Sequence, residues 1–299
     1  MNGAAKQEMQ TDAIFERHRS RAFGVAYRIL GSASDAEDVV QEAWFRWRGA
    51  DISTIRNPEA WLVTTVTRLG IDQLRTARAR RETYVGPWLP EPLISAALET
   101  EATPEDRLSL ADDISMALLH MLERLAPEER AAFLLHDAFD YDYGELAALL
   151  GKSEAACRQT VSRARKRVQE AHPRFDTNAR EHLRLTNAFS AAITSADPQA
   201  LIDCMSEDVV FYSDGGGKAI AALNPLYGAD RVSRFFMGIL KKRPENLAVT
   251  PATVNGLPGF IIYEGDLVHA ALSFGISNGL ISTLYMMRNP DKLTRIGRL

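Results

Sequence analysis

Cysteine is scarce in this 299-residue chain: Cys157 and Cys204 stand alone. Two isolated thiols cannot build a disulfide framework or a thiolate metal cage, so a reducing compartment is expected. The six histidines show no spacing suited to zinc, and no metal or cofactor is implied. No apolar run approaches the roughly 20 residues of a membrane span, and the first residues, MNGAAKQEMQTD, lack a signal-peptide core. These absences predict a soluble cytoplasmic protein with no membrane partner. Repeats and low-complexity tracts are missing too. Charged residues at 25% and hydrophobic residues at 46% are ordinary globular values, which excludes a largely disordered chain.

An excess of positive charge is also lacking. The net charge of −4 argues against a general polyanion binder, yet the charge is segregated along the chain. From Glu154 to Arg174 six basic residues face two acidic ones, a net of +4. From Pro87 to Asp113 seven acids face Arg107 alone, a net of −6. A short basic segment inside an acidic chain predicts a local nucleic-acid contact.

Residues 11–84 read as helices almost throughout. Ser34-Asp35-Ala36-Glu37 has the form of a capping box, and Ala36, Val40, Ala43 and Trp47 then recur as one apolar stripe. Opposite that stripe lie Asp38, Gln41 and Glu42, with Trp44 and Phe45 nearby, which is either a solvated face or a protein-docking surface. Asn57-Pro58-Glu59 starts another helix, expected to run to about Arg81 and to grow more basic towards its end. Gly86-Pro87-Trp88-Leu89-Pro90-Glu91-Pro92 forbids helix and favours an extended path, so it and the acidic residues after it form a linker with an exposed tryptophan. Helices resume near Pro104, with Leu110, Ile114, Leu118, Met121 and Leu125 on one stripe. A short helix ending at Gly151, a cap at Ser153 and a long helix from Glu154 make a helix-turn-helix. On that last helix Cys157, Val161, Ala164 and Val168 form a buried seam. Arg158, Gln159, Ser162 and Lys166 occupy a separate arc, suited to base edges and phosphates.

After Pro173 the pattern becomes α+β. Helices are expected at about 180–196, 198–205 and 230–241, and an antiparallel sheet from runs at 209–213, 247–254, 260–264, 267–276 and 280–287, with Asn278-Gly279 as a hairpin turn. Asp214-Gly215-Gly216-Gly217-Lys218 is either a flexible turn or a loop whose backbone lets another chain approach closely.

Three ordered motifs, SDAEDVVQEAWFRW, NPEAWLVTTVTRLGIDQLRTARAR and LERLAPEERAAFLLHDAFDYDYGELAALLGKSEAACRQTVSRARKRV, resemble the sigma-70 family, and within it the extracytoplasmic-function group. The Trp88-Leu89-Pro90, Asp214–Lys218 and Asn289-Pro290-Asp291-Lys292-Leu293 segments resemble those of members with a C-terminal SnoaL-like domain. The resemblance implies a multidomain fold: two all-α sigma domains, the second a helix-turn-helix, plus an α+β SnoaL-like cone. The expected boundaries are 1–85 (region 2), 86–106 (linker), 107–173 (region 4) and 174–299 (cone). It implies that Asp38, Gln41 and Glu42 contact core RNA polymerase, and that Arg56, Asn57, Trp61, Arg68, Arg75 and Arg78 serve the −10 element of promoter DNA. Arg158, Gln159, Ser162, Arg163 and Lys166 would serve the −35 element. Trp88, Leu89, Pro90, Asp214, Gly215, Gly216, Gly217, Lys218, Asn289, Pro290, Asp291, Lys292 and Leu293 would form a cis-regulatory contact, and the cone could take a small-molecule ligand. No catalytic residue is expected. His182, His269, Asp203 and Asp266 are available in the cone, but no spacing pairs a base with an orienting partner. Two rivals stay open: a ligand-sensing transcription regulator, and a SnoaL-type enzyme with a DNA-binding appendage. The segments at 35–47 and 57–81 speak against both.

Overall fold

The computed structural model describes residues 3–81, 83–96, 114–171 and 179–297. The chain divides into two units: Met1–Arg80, Ala102–Ile114 and Met121–Glu170 in the first, and Arg81–Glu101, Ser115–His120 and Ala171–Leu299 in the second. The expected helical start at Pro104 and the stripe position Leu110 lie outside the described residues.

The first unit is helical, with α1 (Gly3–Leu30), α2 (Ala33–Gly49) and α3 (Pro58–Arg81). The start of α2 differs from the expected box. Ser32, not Ser34, is the cap: its hydroxyl accepts from the Asp35 amide at 3.1 Å, while Glu37 reaches across to Arg19 at 2.6 Å. The apolar stripe Ala36, Val40, Ala43 and Trp47 is buried, and the Trp47 indole donates to the Thr11 carbonyl at 3.0 Å. Asn57 caps α3 by accepting from the Ala60 amide at 3.1 Å.

A short helix α4 (Met116–Leu122) precedes α5 (Pro127–Asp137), α6 (Tyr143–Leu150) and α7 (Glu154–Ala171). Asp142 and Glu145 form a reciprocal capping box at the start of α6. Gly151 ends that helix at φ 65°, a left-handed position glycine adopts without strain. The Ser153 hydroxyl caps α7, accepting from the Ala156 amide at 3.2 Å; Cys157, Val161 and Ala164 are buried as the seam predicts, while Val168 at its end is only half-buried.

In the second unit α8 (Ala179–Thr194), α9 (Pro198–Asp203) and α10 (Ala229–Leu240) accompany a seven-stranded sheet. Its strands are β1 (Ile94–Ala96), β2 (Met205–Asp214), β3 (Leu226–Tyr227), β4 (Leu247–Val254), β5 (Leu257–Glu264), β6 (Leu267–Ser277) and β7 (Leu280–Met287), in the order β1-β4-β5-β6-β7-β2-β3. Three expectations need correction here. The sheet is mixed, because β2 lies parallel to β7; after β2 the chain passes through β3, which pairs antiparallel on its other side, and α10 before the β4-to-β7 meander returns beside β2. Helix α9 stops at Asp203, and Met205 already belongs to β2. The linker contributes a strand, pairing Ile94 with Val254 and Ala96 with Ala252.

Both faces of this sheet are buried. On one, Leu185, Phe189, Leu201, Val232 and Phe236 of the helices pack on Val209, Phe211 and Phe274 of the strands. On the other, Leu89 of the linker, Met116, Ala117 and Leu293 of the tail cover Ile261, Ala271, Tyr285 and Met287. Fully burying a leucine contributes about 1.5–3 kcal/mol, and Leu89 is 0% exposed, so the linker is part of this core.

Candidate nucleic-acid interface and linker contact

The basic residues of α7 fall into two groups. Arg165 makes a bidentate pair with Asp137 of α5 at 2.6 and 2.8 Å, and Arg167 reaches Glu129 of the same helix at 2.5 Å. These two tie α7 to α5. Arg158, Gln159, Ser162, Arg163 and Lys166 are exposed. Arg158 pairs with Glu154 at 2.7 Å and lies 5.2 Å from the centre of the Tyr143 ring. Arg163 and Lys166 stand 3.9 and 3.8 Å from Glu129 and Glu170. The Arg158 and Lys166 pairs face solvent on both sides, are worth about 0–1 kcal/mol and yield readily to a phosphate.

Asp38, Gln41 and Glu42 are all exposed on α2, beside a shallow groove lined by Phe15, Val40 and Trp44. Phe45 is exposed on the same helix. Along α3, Arg56 and Asn57 are exposed, and Trp61 is half-buried, edge-to-face with Trp47 at 5.4 Å. Arg68 has partners on α6 and Arg75 on α5, in the same unit. Arg68 donates to the Leu149 and Ala148 carbonyls at 3.2 and 3.4 Å, at the C-terminus of α6. Arg75 pairs with Asp72 at 3.0 Å and with Glu128 at 2.6 Å. Glu128 also accepts from Lys152, and that bond foremost holds its carboxyl below the usual range. The side chain of Arg78 lies outside the described residues. Glu128, Ala148 and Leu149 were not legible as partners of α3, since no sequence pattern links residues so far apart.

The second unit gathers the three remaining segments around one carboxylate. Asp214, at the end of β2, is 0% exposed. It accepts from the Tyr84 hydroxyl at 2.6 Å, the Leu89 amide at 2.8 Å and the Lys292 ammonium at 2.8 Å. Lys292 also donates to the Leu89 carbonyl at 2.5 Å and sits 4.0 Å from the centre of the Trp88 ring, a cation–π distance. Trp88 is thus half-buried, not exposed as expected, because the ammonium and the tail cover it. Asn289 donates to the Tyr84 oxygen at 2.7 Å and accepts from the Asp291 amide, shaping the Pro290–Lys292 turn; Leu293 beyond it is buried. Burial first, and then Asp214, push the Tyr84 phenol well above its ordinary value, so it stays a donor.

The glycines have a steric reason. At Gly216, φ is +58°, and a Cβ there would overlap the Asn289 amide and come within 2.9 Å of the Tyr84 hydroxyl. A Cβ on Gly215 would run into the Ala219 carbonyl, and one on Gly217 would meet Val85 at 3.3 Å. Lys218 pairs with Asp291 at 2.6 Å, and Pro90 is buried beside Leu89. Two linker-holding residues were missed. Tyr84 carried no local signal. Asn255 did: Asn255-Gly256 is a hairpin turn with φ of 51° and 74°, and Asn255 exchanges hydrogen bonds with both backbone groups of Leu93, at 2.8 and 3.3 Å.

Among the described residues no group of histidines, cysteines or carboxylates is arranged to hold a metal ion, and no helix is long and apolar enough to cross a membrane. A helix-turn-helix with an outward basic face, joined to a second helical element rich in arginine, is an arrangement suited to contacting DNA. Residues 14–80 match the model of sigma-70 region 2, and residues 115–168 match that of sigma-70 region 4. The chain is 39% identical to the ECF RNA polymerase sigma factor SigJ of Mycobacterium tuberculosis over 94% of its own length and 92% of that protein. The crystal structure of the M. tuberculosis extracytoplasmic function sigma factor SigJ superposes with a TM-score of 0.75 at 35% identity, covering 94% of this chain and 97% of that one. To SigE of Mycolicibacterium smegmatis it is 30% identical over 53% of its length. The chain belongs to the extracytoplasmic-function RNA polymerase sigma factors, and it carries a C-terminal α+β domain.

Proposed function

We propose that this sigma factor acts in the cytoplasm with core RNA polymerase at promoters bearing −35 and −10 elements, and that its own C-terminal domain controls it through the linker. It catalyses no reaction itself. Asp38, Gln41 and Glu42 dock on core polymerase through a face that is acidic and exposed. Arg56, Asn57, Trp61, Arg68, Arg75 and Arg78 serve the −10 element, which requires Arg68 and Arg75 to exchange their present partners for nucleic acid. Arg158, Gln159, Ser162, Arg163 and Lys166 serve the −35 element. The single observation carrying the regulatory reading is the burial of Asp214 against three donors, from Tyr84 just before the linker, from the linker and from the tail. A loop that held nothing would have no use for a fully desolvated carboxylate.

The test is run-off transcription by purified core enzyme with the intact chain and its variants. Asp38→Arg combined with Glu42→Arg should weaken co-elution with core enzyme, and undiminished co-elution by the folded double variant overturns the docking role. Trp88→Ala and Gly216→Val should each alter promoter output while leaving −35 affinity unchanged. If both match the intact protein, the C-terminal domain exerts no control through this contact.

A further inference from the structure

Inside the second unit, on the helix-covered face of the sheet, lies a cavity of about 180 Å³. Its walls are apolar, formed chiefly by Phe189, Phe236, Ile262, Leu272 and Met286, and its polar groups include Arg288 and His269. One Arg288 Nη donates to His269 Nε2 at 2.6 Å, and the other to the Ile220 carbonyl. The Arg288 Nε is buried and has no hydrogen-bond partner among the described residues. His269 Nδ1 lies 3.2 Å from Glu264, so this ring donates to a carboxylate on one side and accepts from the guanidinium on the other. Burial first, and then Arg288, lower the proton affinity of His269, which keeps it neutral in this role.

A buried guanidinium N–H without a partner, on a residue that lines an apolar cavity, is a costly arrangement unless a small shift lets it meet an acceptor there. A carboxylate satisfies both the charge and the free N–H, and a hydrocarbon body fits the remaining wall. We propose that the cavity binds a monocarboxylate with an apolar body, its carboxylate on Arg288, and that occupancy is relayed to the linker contact. The relay is short. The Arg288 amide donates to the backbone carbonyl of Asp214 at 2.7 Å, its guanidinium holds the segment after the glycine loop at Ile220, and the next residue, Asn289, donates to Tyr84. A ligand that pulls on Arg288 therefore pulls on two of the groups that hold the linker. This step rests on the regulatory reading above but is tested separately from it.

The experiment uses the full chain with octanoate as probe, and octan-1-ol and octylammonium as controls, in calorimetric titration. Octanoate should bind with a Kd below about 1 mM, and Arg288→Gln should weaken it by at least about tenfold. Because Arg288 also supports the loop, Ile239→Trp at the exposed rim of the cavity provides a second variant: it should block octanoate with Arg288 intact. Equal affinity for octan-1-ol, or undiminished binding by Arg288→Gln, overturns the carboxylate assignment, and no octanoate binding below about 10 mM overturns the site. For the relay, the chain is labelled with 5-fluorotryptophan and the Trp88 resonance assigned with Trp88→Phe. Octanoate should shift that resonance in the parent chain and not in Ile239→Trp; binding without a shift overturns the relay. Failure of the regulatory reading would appear instead as Trp88→Ala transcribing like the parent, whatever octanoate does.

Discussion

Replacing Asp214 by alanine should loosen the linker without unfolding the domain that holds it. The carboxylate is fully buried and accepts from Tyr84, from the Leu89 amide and from Lys292, whose side chain is only 12% exposed. Removing one partner of a buried ion pair costs about 3–5 kcal/mol, since the stranded charge has lost its compensation. Lys292 keeps the Leu89 carbonyl and the Trp88 ring after the change, which places the cost near the lower end. About 3 kcal/mol is more than a hundredfold in the docking equilibrium. What still holds the linker is the buried Leu89 side chain and the β1–β4 ladder. The core on the helix-covered face includes no residue of the linker, so that part of the fold survives the loss.

Hydrogen exchange is the direct assay. The Leu89 amide loses its acceptor trivially, so the informative amide is that of Leu93, which bonds to Asn255 and not to Asp214. It and the β1 amides should lose protection by at least about tenfold, while amides paired between β5 and β6 keep theirs. Tyr84→Phe, which removes one neutral donor from the carboxylate, should do the same more weakly, by about 1.5–3 kcal/mol. Unchanged protection at Leu93 in a folded Asp214→Ala chain would refute the claim that this carboxylate anchors the linker.

Three further outcomes are expected. Burial holds the His269 imidazole below its ordinary value of 6.5, so the unfolded chain takes up its proton first as pH falls through that value. The stability this contributes is complete above 6.5 and lost below it, and the melting temperature should fall more between about pH 7.5 and 5.5 in the parent than in His269→Gln. Burial also raises both thiols, Cys204 to about 11, so neither should react with a thiol reagent at about pH 8 until denaturant is added. At the −35 element, Arg158→Ala or Gln159→Ala should cost about 1–3 kcal/mol and relax preference at one base position, whereas Lys166→Ala should weaken all sequences alike and reduce the salt slope by about one. Binding to a library of −35 point variants at two salt concentrations separates the two patterns.

Local rules carried most of the helical reading. Asn57-Pro58-Glu59, Gly151 and Ser153 each act where a short-range pattern places them. Ser32 against Ser34 shows the limit: Ser34 already lies in the first turn of α2, and the cap is Ser32, whose hydroxyl accepts from the Asp35 amide while Glu37 pairs with Arg19. The parallel β2–β7 pairing was not legible, because strand runs alone do not state which neighbour a strand takes. Strand β1 was hidden for a related reason. Ile94-Ser95-Ala96 is too short to signal anything, and it is a strand only because β4 offers an edge. The linker segment was legible as composition, with prolines and a tryptophan that a spacer does not need. Its partners were legible only as motifs, because a buried Asp–Lys pair separated by 78 residues leaves no local mark.

The energetic contrast between the two sets of contacts bears on where control resides. Arg68 and Arg75 spend their charges on helix-terminal carbonyls and on Glu128, at sites open to solvent; Arg75 is 55% and Glu128 36% exposed. Pairs of that kind are worth at most about 1 kcal/mol and are screened by salt, so promoter phosphates can take over these arginines at little cost. They hold α3 in place without deciding whether it reads DNA. The Asp214 network is desolvated and cooperative: each donor also touches another member, Tyr84 through Asn289 and Lys292 through Leu89. Buried networks of this sort resist partial loss and give way as a unit, which is the behaviour a two-state control element needs. A small shift in the loop or the tail therefore changes the placement of the linker more than the exchange of any single surface arginine does.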